Sequence, residues 1–158
     1  MTTRPYDRVL TGVCFNPDDN RARRMRVLVD RLWDELHPTG VSWIGFYVYE
    51  GGDELVLGPM RNKPACSPIG LHGVCGRSFT QRQTIVVRDV RDLGESYVAC
   101  DPRDRAEVVV PCVDERGACW GVLDADSHAV GAFDEHDAAA LRALLVQAGL
   151  TFGGLAGR

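Results

Sequence analysis

The amino-acid sequence predicts a single α+β domain in which helices pack on one antiparallel sheet. With 158 residues, of which 45% are hydrophobic and 25% charged, the chain fits one domain with its own core. Two pairs of apolar segments are each joined by a tight turn, and strands joined by hairpins are antiparallel. Amphipathic helical segments near both ends of the chain can then cover a face of the sheet. We therefore treat residues 1–158 as one domain.

The first predicted helix spans residues 16–37 and follows an N-terminal extension of residues 1–15. Asn16 has the side chain of an N-cap, and Pro17 suits the first helical position. Apolar residues then recur at helical spacing, at Met25, Leu28, Val29, Leu32, Trp33 and Leu36. We interpret the arginines of "RARRMR" as the solvated face of this helix rather than as an RNA-binding patch.

Residues 41–126 are predicted to form the sheet and the functional loops. In "VSWIGFYVYEGGDELVLGP", two strands flank a turn at residues 51–53. Alternation along the first strand gives an aliphatic and an aromatic face, made of Ile44, Phe46 and Val48 and of Trp43, Tyr47 and Tyr49 respectively. The aliphatic face belongs to the core, which leaves the aromatic face to line something other than this core.

A second hairpin and two long loops follow. "AEVVVPCV" and "ACWGVLDAD" are predicted as strands around a turn at residues 114–117, and "TIVVRDV" as a single strand before them. The loops at residues 60–75 and in "RDLGESYVACDPRDR" are long for a compact domain, and such loops usually carry function. "GVCGRSFTQRQ" is predicted as a short helix. The chain closes with a helix over residues 134–150, capped by Asp134.

Composition and charge limit the kinds of molecule that the protein is expected to bind. The formal net charge is −4, so the chain as a whole offers no field that would gather nucleic acid or an anionic membrane surface. The N-terminal segment has no apolar signal region, and no stretch approaches the roughly 18 apolar residues that cross a bilayer. We therefore expect a cytoplasmic protein. In a reducing compartment its six cysteines favour core, metal-binding or redox-active roles over a permanent disulfide framework.

Six segments stand in an order that is typical of a known family: "SWIGFY", "LGPMRNKPAC", "GVCG", "VACD", "EVVVPC" and "GVLDADS". From about Trp33 to Leu150 the chain resembles the free methionine-(R)-sulfoxide reductases, which are single GAF domains. The resemblance implies a GAF-like fold with a central antiparallel sheet of about six strands flanked by helices, a ligand pocket under the loops, and a homodimer. It also implies free methionine sulfoxide as substrate, thioredoxin or a similar dithiol as reductant, and no cofactor.

The resemblance assigns roles to three loop cysteines. Cys100 would be the nucleophile, Cys66 the resolving thiol, and Cys75 an alternative partner. Attack of the thiolate on the sulfoxide would release methionine and leave a sulfenic acid, which condenses with a second thiol to a disulfide that an external dithiol reduces. We therefore predict a Cys66–Cys100 disulfide after one turnover. The remaining cysteines, Cys14, Cys112 and Cys119, we interpret as structural.

Three carboxylates form a second candidate constellation. Asp124 and Asp126 share a face at the end of one strand, and Glu107 begins the strand paired with it, so the three can converge. Such a set can hold the α-ammonium of a free amino acid, and one member with a raised pKa can protonate a sulfoxide oxygen. Trp43 and Tyr47 would enclose the S-methyl group of the substrate. Solvated acids and ordinary aromatic packing are the alternative interpretations.

Other function classes stay open at the level of the sequence. A GAF domain can be a sensor that binds a small molecule, or a thiol-disulfide sensor that uses the same cysteines without turnover. A zinc site made of Cys66, His72, Cys75 and Cys100 is a further alternative, although the chain has no C-x-x-C pair. Steady-state consumption of reductant separates an enzyme from a sensor, and metal analysis tests the zinc site.

Overall fold

A computed structural model describes residues 3–97 and 100–153 of the chain and arranges six strands in one sheet. The strands are β1 (Val41–Tyr49), β2 (Glu54–Arg61), β3 (Ile69–Gly70), β4 (Ile85–Val87), β5 (Ala106–Val113) and β6 (Cys119–Ser127). Their order is β3-β2-β1-β6-β5-β4, and all neighbours are antiparallel. The two predicted hairpins are the pairs β1–β2 and β5–β6. The prediction of an α+β fold with about six strands is therefore confirmed.

Three α-helices pack on this sheet: α1 (Arg21–Leu36), α2 (Val74–Gln81) and α3 (Glu135–Gln147). Short 3-10 helices lie at Tyr6–Arg8, His37–Thr39 and Val90–Ser96. The terminal helices α1 and α3 cover one face of the sheet, and α2 lies against β5 and β6 on the other. Within the described ranges, no helix is both long enough and apolar enough to cross a membrane.

The first helix begins later than predicted. Its N-cap is Asn20, whose side-chain oxygen accepts a hydrogen bond of 2.8 Å from the backbone N–H of Arg23. Asn16 instead opens a turn, in which its backbone N–H donates to the carboxylate of Asp19 at 2.8 Å. The buried stripe of α1 starts only at Met25, so residues 16–19 have no apolar side chain to bury on a helix. The assignment of Asn16 as N-cap is therefore wrong.

The last helix begins as predicted and ends earlier. Asp134 and Asp137 form a capping box, in which each side chain accepts a hydrogen bond from the backbone N–H of the other. The helix ends at Gln147 rather than at residue 150. The reason lies at Gly149, which has a left-handed φ of +70° and so turns the chain out of the helix.

The sheet has one short strand that the sequence pattern did not indicate. Residues 69–70 form β3 inside the loop predicted at residues 60–75, and they pair with residues 54–55 of β2. A strand of two residues shows no alternation that could be recognised. β4 is shorter than the predicted segment 84–90, because Val90 already belongs to a 3-10 helix.

The described part of the N-terminal extension is folded onto the core. Arg4 forms an ion pair of 2.9 Å with Asp137 at the start of α3, and both side chains are buried. The Tyr6 hydroxyl donates a hydrogen bond of 2.6 Å to the same carboxylate. Residues 1–2 of the predicted extension lie outside the described residues.

The two faces of the sheet have different environments. Ile44 and Phe46 of β1 lie in the larger apolar core with α1 and α3. Trp43 and Tyr47 point to the opposite face, into a smaller cluster that includes Cys75 of α2. The alternation predicted for β1 is therefore confirmed. The smaller cluster leaves space between α2, the sheet and the two long loops.

Candidate active site

A cavity of about 370 Å³ occupies the space between α2, the sheet and the two long loops. Aromatic side chains of β1 form one wall, carboxyl groups of β5 and β6 form the floor, and the loops form the rim. All eight residues predicted for the site line this cavity: Trp43, Tyr47, Cys66, Cys75, Cys100, Glu107, Asp124 and Asp126. The structure therefore brings the two predicted constellations, the cysteines and the carboxylates, into one site.

The aromatic wall also anchors one of the loops. The indole N–H of Trp43 donates to the backbone carbonyl of Lys63 at 2.9 Å, and the hydroxyl of Tyr47 donates to the carbonyl of Cys66 at 2.9 Å. The rings of Trp43 and Tyr47 lie 6.1 Å apart between centroids. Because both hydrogen bonds start on the rigid strand β1, they hold the Cys66 loop over the cavity.

Cys66 and Cys100 form a disulfide at the rim of the cavity. Their Cα atoms lie 5.6 Å apart, which is an ordinary separation for a disulfide. Both residues are exposed, so a reductant in solution can reach the sulfur atoms. This pairing is the one that the family resemblance implies. The bond also engages two of the four ligands of the zinc alternative, and a disulfide sulfur is not a thiolate ligand.

Cys75 has a different environment from the two rim cysteines. It lies in the first turn of α2 and is buried, with its Sγ 3.9 Å from Oε1 of Glu107. Burial raises the pKa of this thiol well above its usual value, and the nearby charges of Asp124 and Glu107 raise the pKa further. A thiol with such a pKa stays protonated at neutral pH and is a poor nucleophile.

The carboxyl groups on the floor come from two paired strands. Glu107 of β5 lies opposite Asp126 of β6, and Asp124 lies two residues before Asp126 on the same strand. Polar atoms of Glu107, Asp124 and Cys75 all lie within 4.8 Å of one another. Glu107 and Asp124 are only 6% and 5% exposed, and Oδ1 of Asp124 has no hydrogen-bond partner among the described residues.

Burial sets the protonation of these acids. It raises the pKa of Glu107 to about 7 and the pKa of Asp124 well above its usual value, in the latter case together with the charges of Asp126 and Glu107. Two carboxyl groups so close together in an apolar setting keep at least one proton at neutral pH. The floor can therefore hold a cation and donate a proton. Cys75, Glu107 and Asp124 are near enough to one another for a shared metal ion.

A second polar cluster at the rim was not predicted. Asp101 accepts hydrogen bonds from Lys63 and Arg103, and these cations hold the pKa of its carboxyl well below its usual range. Asp104 is buried beside it, and burial raises the pKa of Asp104 to about 6. Lys63 and Asp101 stand within the family segments "LGPMRNKPAC" and "VACD". Their separation along the chain gave no sign that they pair.

The chain is similar to known proteins over most of its length. A family profile described as "GAF domain" matches residues 22–152. The chain is 40% identical to free methionine-R-sulfoxide reductase of Escherichia coli (strain K12) over 118 residues, which cover 73% of this chain and 68% of that protein. It is 37% identical to free methionine-R-sulfoxide reductase of Saccharomyces cerevisiae over 100 residues, which cover 61% of this chain and 55% of that protein.

Solved structures agree with these sequence relationships. Free methionine-R-sulfoxide reductase from Neisseria meningitidis, in complex with its substrate, is 33% identical and superposes with a TM-score of 0.78 over 91% of this chain and 83% of that one. The corresponding enzyme of Staphylococcus aureus, also with substrate, is 29% identical, with a TM-score of 0.81 over 94% of this chain and 95% of that one. The chain therefore belongs to the GAF domain family and, within it, to the free methionine-R-sulfoxide reductases.

Proposed function

We propose that the protein reduces free L-methionine (R)-sulfoxide to methionine, with thioredoxin or a similar dithiol as electron donor. One observation carries this proposal: a disulfide-forming cysteine pair stands at the rim of a cavity whose floor holds buried carboxyl groups. Sulfoxide reduction needs both a soft nucleophile and an acid. The names of the E. coli and yeast relatives point to the same reaction.

The first half of the proposed cycle reduces the substrate. In the reduced protein the thiolate of Cys100 attacks the sulfur of the sulfoxide, and the Glu107–Asp124 pair supplies the proton that the sulfoxide oxygen takes up. The sulfur–oxygen bond of the substrate breaks, methionine leaves, and Cys100 keeps the oxygen as a sulfenic acid. The thiolate supplies the electron pair for this step, so no cofactor is needed.

The second half of the cycle restores the thiols. The Cys66 thiol attacks the sulfenic sulfur, water leaves, and the disulfide forms. An external dithiol then exchanges with this disulfide, which is accessible at the rim. Such a cycle belongs in a reducing compartment, and we place the protein in the cytoplasm on that ground. Cys75 is the weaker resolving candidate, because its buried thiol keeps its proton.

Substrate recognition in this proposal depends on the floor and the aromatic wall. The α-ammonium of a free amino acid is a suitable partner for Asp126 and for Oδ1 of Asp124, which has no hydrogen-bond partner within the described part of the chain. Trp43 and Tyr47 enclose the S-methyl group and so restrict which sulfoxide epimer fits. A methionine sulfoxide inside a peptide has no α-ammonium for the floor to hold.

A turnover assay with each epimer of free methionine sulfoxide and with a peptide sulfoxide tests the proposal. We expect steady-state turnover with the free R epimer, in which the reductant, either thioredoxin or a small dithiol, is consumed continuously. Equal rates on the peptide would refute the proposed substrate. A sensor that uses the same disulfide would oxidise once and then stop. We also expect a homodimer from the family resemblance, and light scattering measures the mass.

Cysteine variants test the assigned roles within the same assay. Cys66→Ser should release about one methionine per chain in a single turnover and then stall, because the sulfenic acid lacks its resolving thiol. Cys100→Ser should release none. Cys14→Ser, which changes an exposed cysteine outside the cavity, is the matched control and should behave as wild type. If Cys100→Ser still released methionine in a single turnover and Cys75→Ser released none, Cys75 would be the nucleophile.

A further inference from the structure

The two loops that carry the disulfide are also joined by an ion pair. Nζ of Lys63 lies 3.0 Å from Oδ2 of Asp101. Lys63 precedes Cys66 by three residues, and Asp101 directly follows Cys100. Among the hydrogen bonds and ion pairs between described residues, this pair is the only one that links residues 61–68 to residues 100–104. It therefore parallels the disulfide as a second link between the two loops.

Both ends of this ion pair are held in place. The backbone of Lys63 is fixed through its carbonyl, which accepts the indole N–H of Trp43. The carboxylate of Asp101 accepts hydrogen bonds of 3.0 Å from the backbone N–H and from the guanidinium of Arg103, and its side chain is only 14% exposed. His128 approaches the same carboxylate at 3.4 Å. The carboxylate of Asp101 is thus held at the rim by residues of its own loop and by His128. Lys63, on the loop of Cys66, is its ion-pair partner across the two loops.

We propose that Lys63 and Asp101 are positioning residues that keep the two cysteine loops together while the disulfide is open. The inference rests on the proposed function, because it concerns the step in which Cys66 resolves the sulfenic acid on Cys100. In that step the sulfur–oxygen bond breaks, the sulfur–sulfur bond forms, and the thiol proton leaves with the hydroxyl group as water. The ion pair raises the effective concentration of the Cys66 thiol at the sulfenic sulfur.

The ion pair affects this step more than it affects the fold. The Lys63 side chain is 47% exposed, and an exposed pair adds little to overall stability. Loop approach, in contrast, depends on the few contacts that cross between the loops. Lys63 also lines the cavity, so a contact with the substrate carboxylate is the competing role. The two roles act on different steps, since substrate contact affects methionine release and loop positioning affects disulfide formation.

Rapid-quench single turnovers of the reduced protein separate the two steps. In Lys63→Met we expect methionine release to keep its rate and KM, while disulfide formation slows about three- to fivefold, the size expected for one surface ion pair. A sulfenic acid that dimedone can trap should accumulate. Lys63→Arg should restore disulfide formation, and high salt should slow this step in wild type but not in Lys63→Met. Peptide mass mapping after alkylation measures the disulfide.

Arg61→Met provides the matched control. Arg61 belongs to the same segment and forms an ion pair of 3.1 Å with Asp30, outside the cavity. Its loss should leave both steps unchanged. Disulfide formation at the wild-type rate in Lys63→Met would overturn the proposal, and so would slower methionine release with a raised KM, which would make Lys63 a substrate-binding residue.

Hydrogen peroxide distinguishes failure of this proposal from failure of the proposed function. Peroxide oxidises the Cys100 thiolate to the same sulfenic acid, with release of hydroxide, and so starts the resolving step without a sulfoxide. A wild-type protein that releases no methionine from sulfoxide would refute the proposed function. The effect of Lys63→Met on disulfide formation after peroxide would still support or overturn the positioning role.

Discussion

Glu107 occupies a reactive position at a cost in stability. Burial raises the pKa of its carboxyl from 4.5 to about 7, so the unfolded chain loses this proton at a lower pH than the folded chain. Between those two pH values the folded state binds more protons, and the free energy of unfolding falls as the pH rises. Well above pH 7 the whole cost is present, on the order of 3 kcal/mol. An acid that is ready to donate at neutral pH thus weakens the fold at alkaline pH.

We predict that Glu107→Gln loses most of the activity without becoming less stable at about pH 8. The amide cannot supply a readily transferred proton, and it also carries no charge that burial would penalise. Urea unfolding at about pH 5 and about pH 8 should show a smaller loss of stability in the variant than in wild type. Glu115→Gln, in the exposed turn between β5 and β6, should change neither activity nor this pH dependence.

Two results would count against this role of Glu107. A near wild-type kcat/KM in Glu107→Gln would remove the residue from the chemistry. A loss of stability that is equal at both pH values would show that the proton of Glu107 does not couple to folding.

At the scale of residues, strand geometry explains what could be predicted. Glu107, Asp124 and Asp126 converge because alternation and hairpin register fix the direction of side chains on paired strands. The contact of Cys75 with Glu107 depends instead on how α2 packs on the sheet. The ion pair of Lys63 and Asp101 depends on the course of two long loops. No local pattern encodes either of these contacts.

The capping of α1 gives a prediction at the scale of one element. Asn20→Ala should lower the free energy of unfolding by about 1 kcal/mol, because the N–H of Arg23 loses its acceptor. For a chain of this size the melting temperature should fall by about 2–4 °C, which differential scanning calorimetry measures. Asn16→Ala is the matched control, since the Asn16 side chain forms no hydrogen bond with another described residue. If Asn16→Ala lowered the free energy of unfolding more than Asn20→Ala, Asn16 would be the N-cap, as the sequence suggested.

At the scale of elements, length decides what a sequence pattern can reveal. The long strands β5 and β6 lie where their apolar segments predict them, because alternation over many residues is unambiguous. The start of α1 was misplaced because two asparagines compete as caps, and the apolar stripe that decides between them begins at Met25. β3 is too short to carry any pattern and forms only because β2 offers it an edge.

For the whole molecule, the disulfide closes a large loop. Cys66 and Cys100 are separated by 34 residues, which include β3, α2 and β4. Cross-linking such a loop reduces the entropy of the unfolded chain and stabilises the fold by about 3–4 kcal/mol. We predict that reduction lowers the melting temperature by roughly 10 °C. Scanning calorimetry with and without a dithiol measures the shift.

Cys66→Ser is the control for this prediction. The variant cannot form the bond, so it should melt near the temperature of the reduced wild type whether or not dithiol is present. Equal melting temperatures for oxidised and reduced wild type would contradict the prediction, because they would mean that the disulfide does not restrict the unfolded chain any further.

The order of the strands is the property of the whole molecule that local patterns reveal least. Hairpins predict that β1 neighbours β2 and that β5 neighbours β6. The contact between β1 and β6, which joins the two hairpins into one sheet, spans most of the chain. The predicted hairpins favoured a single sheet but did not indicate which strands join them. The same contact brings Trp43 beside Asp126 and so completes the cavity.

The loop that the disulfide closes also bears on how long the protein survives in a cell. A protease cleaves the small fraction of molecules that have opened, and this fraction is smaller for the cross-linked form. The oxidised protein, which carries the disulfide, would then be degraded more slowly than the reduced, active protein. When oxidant is abundant, the cell would keep its stock of the protein in the protected form, and a return to reducing conditions would both reactivate the protein and expose it to degradation.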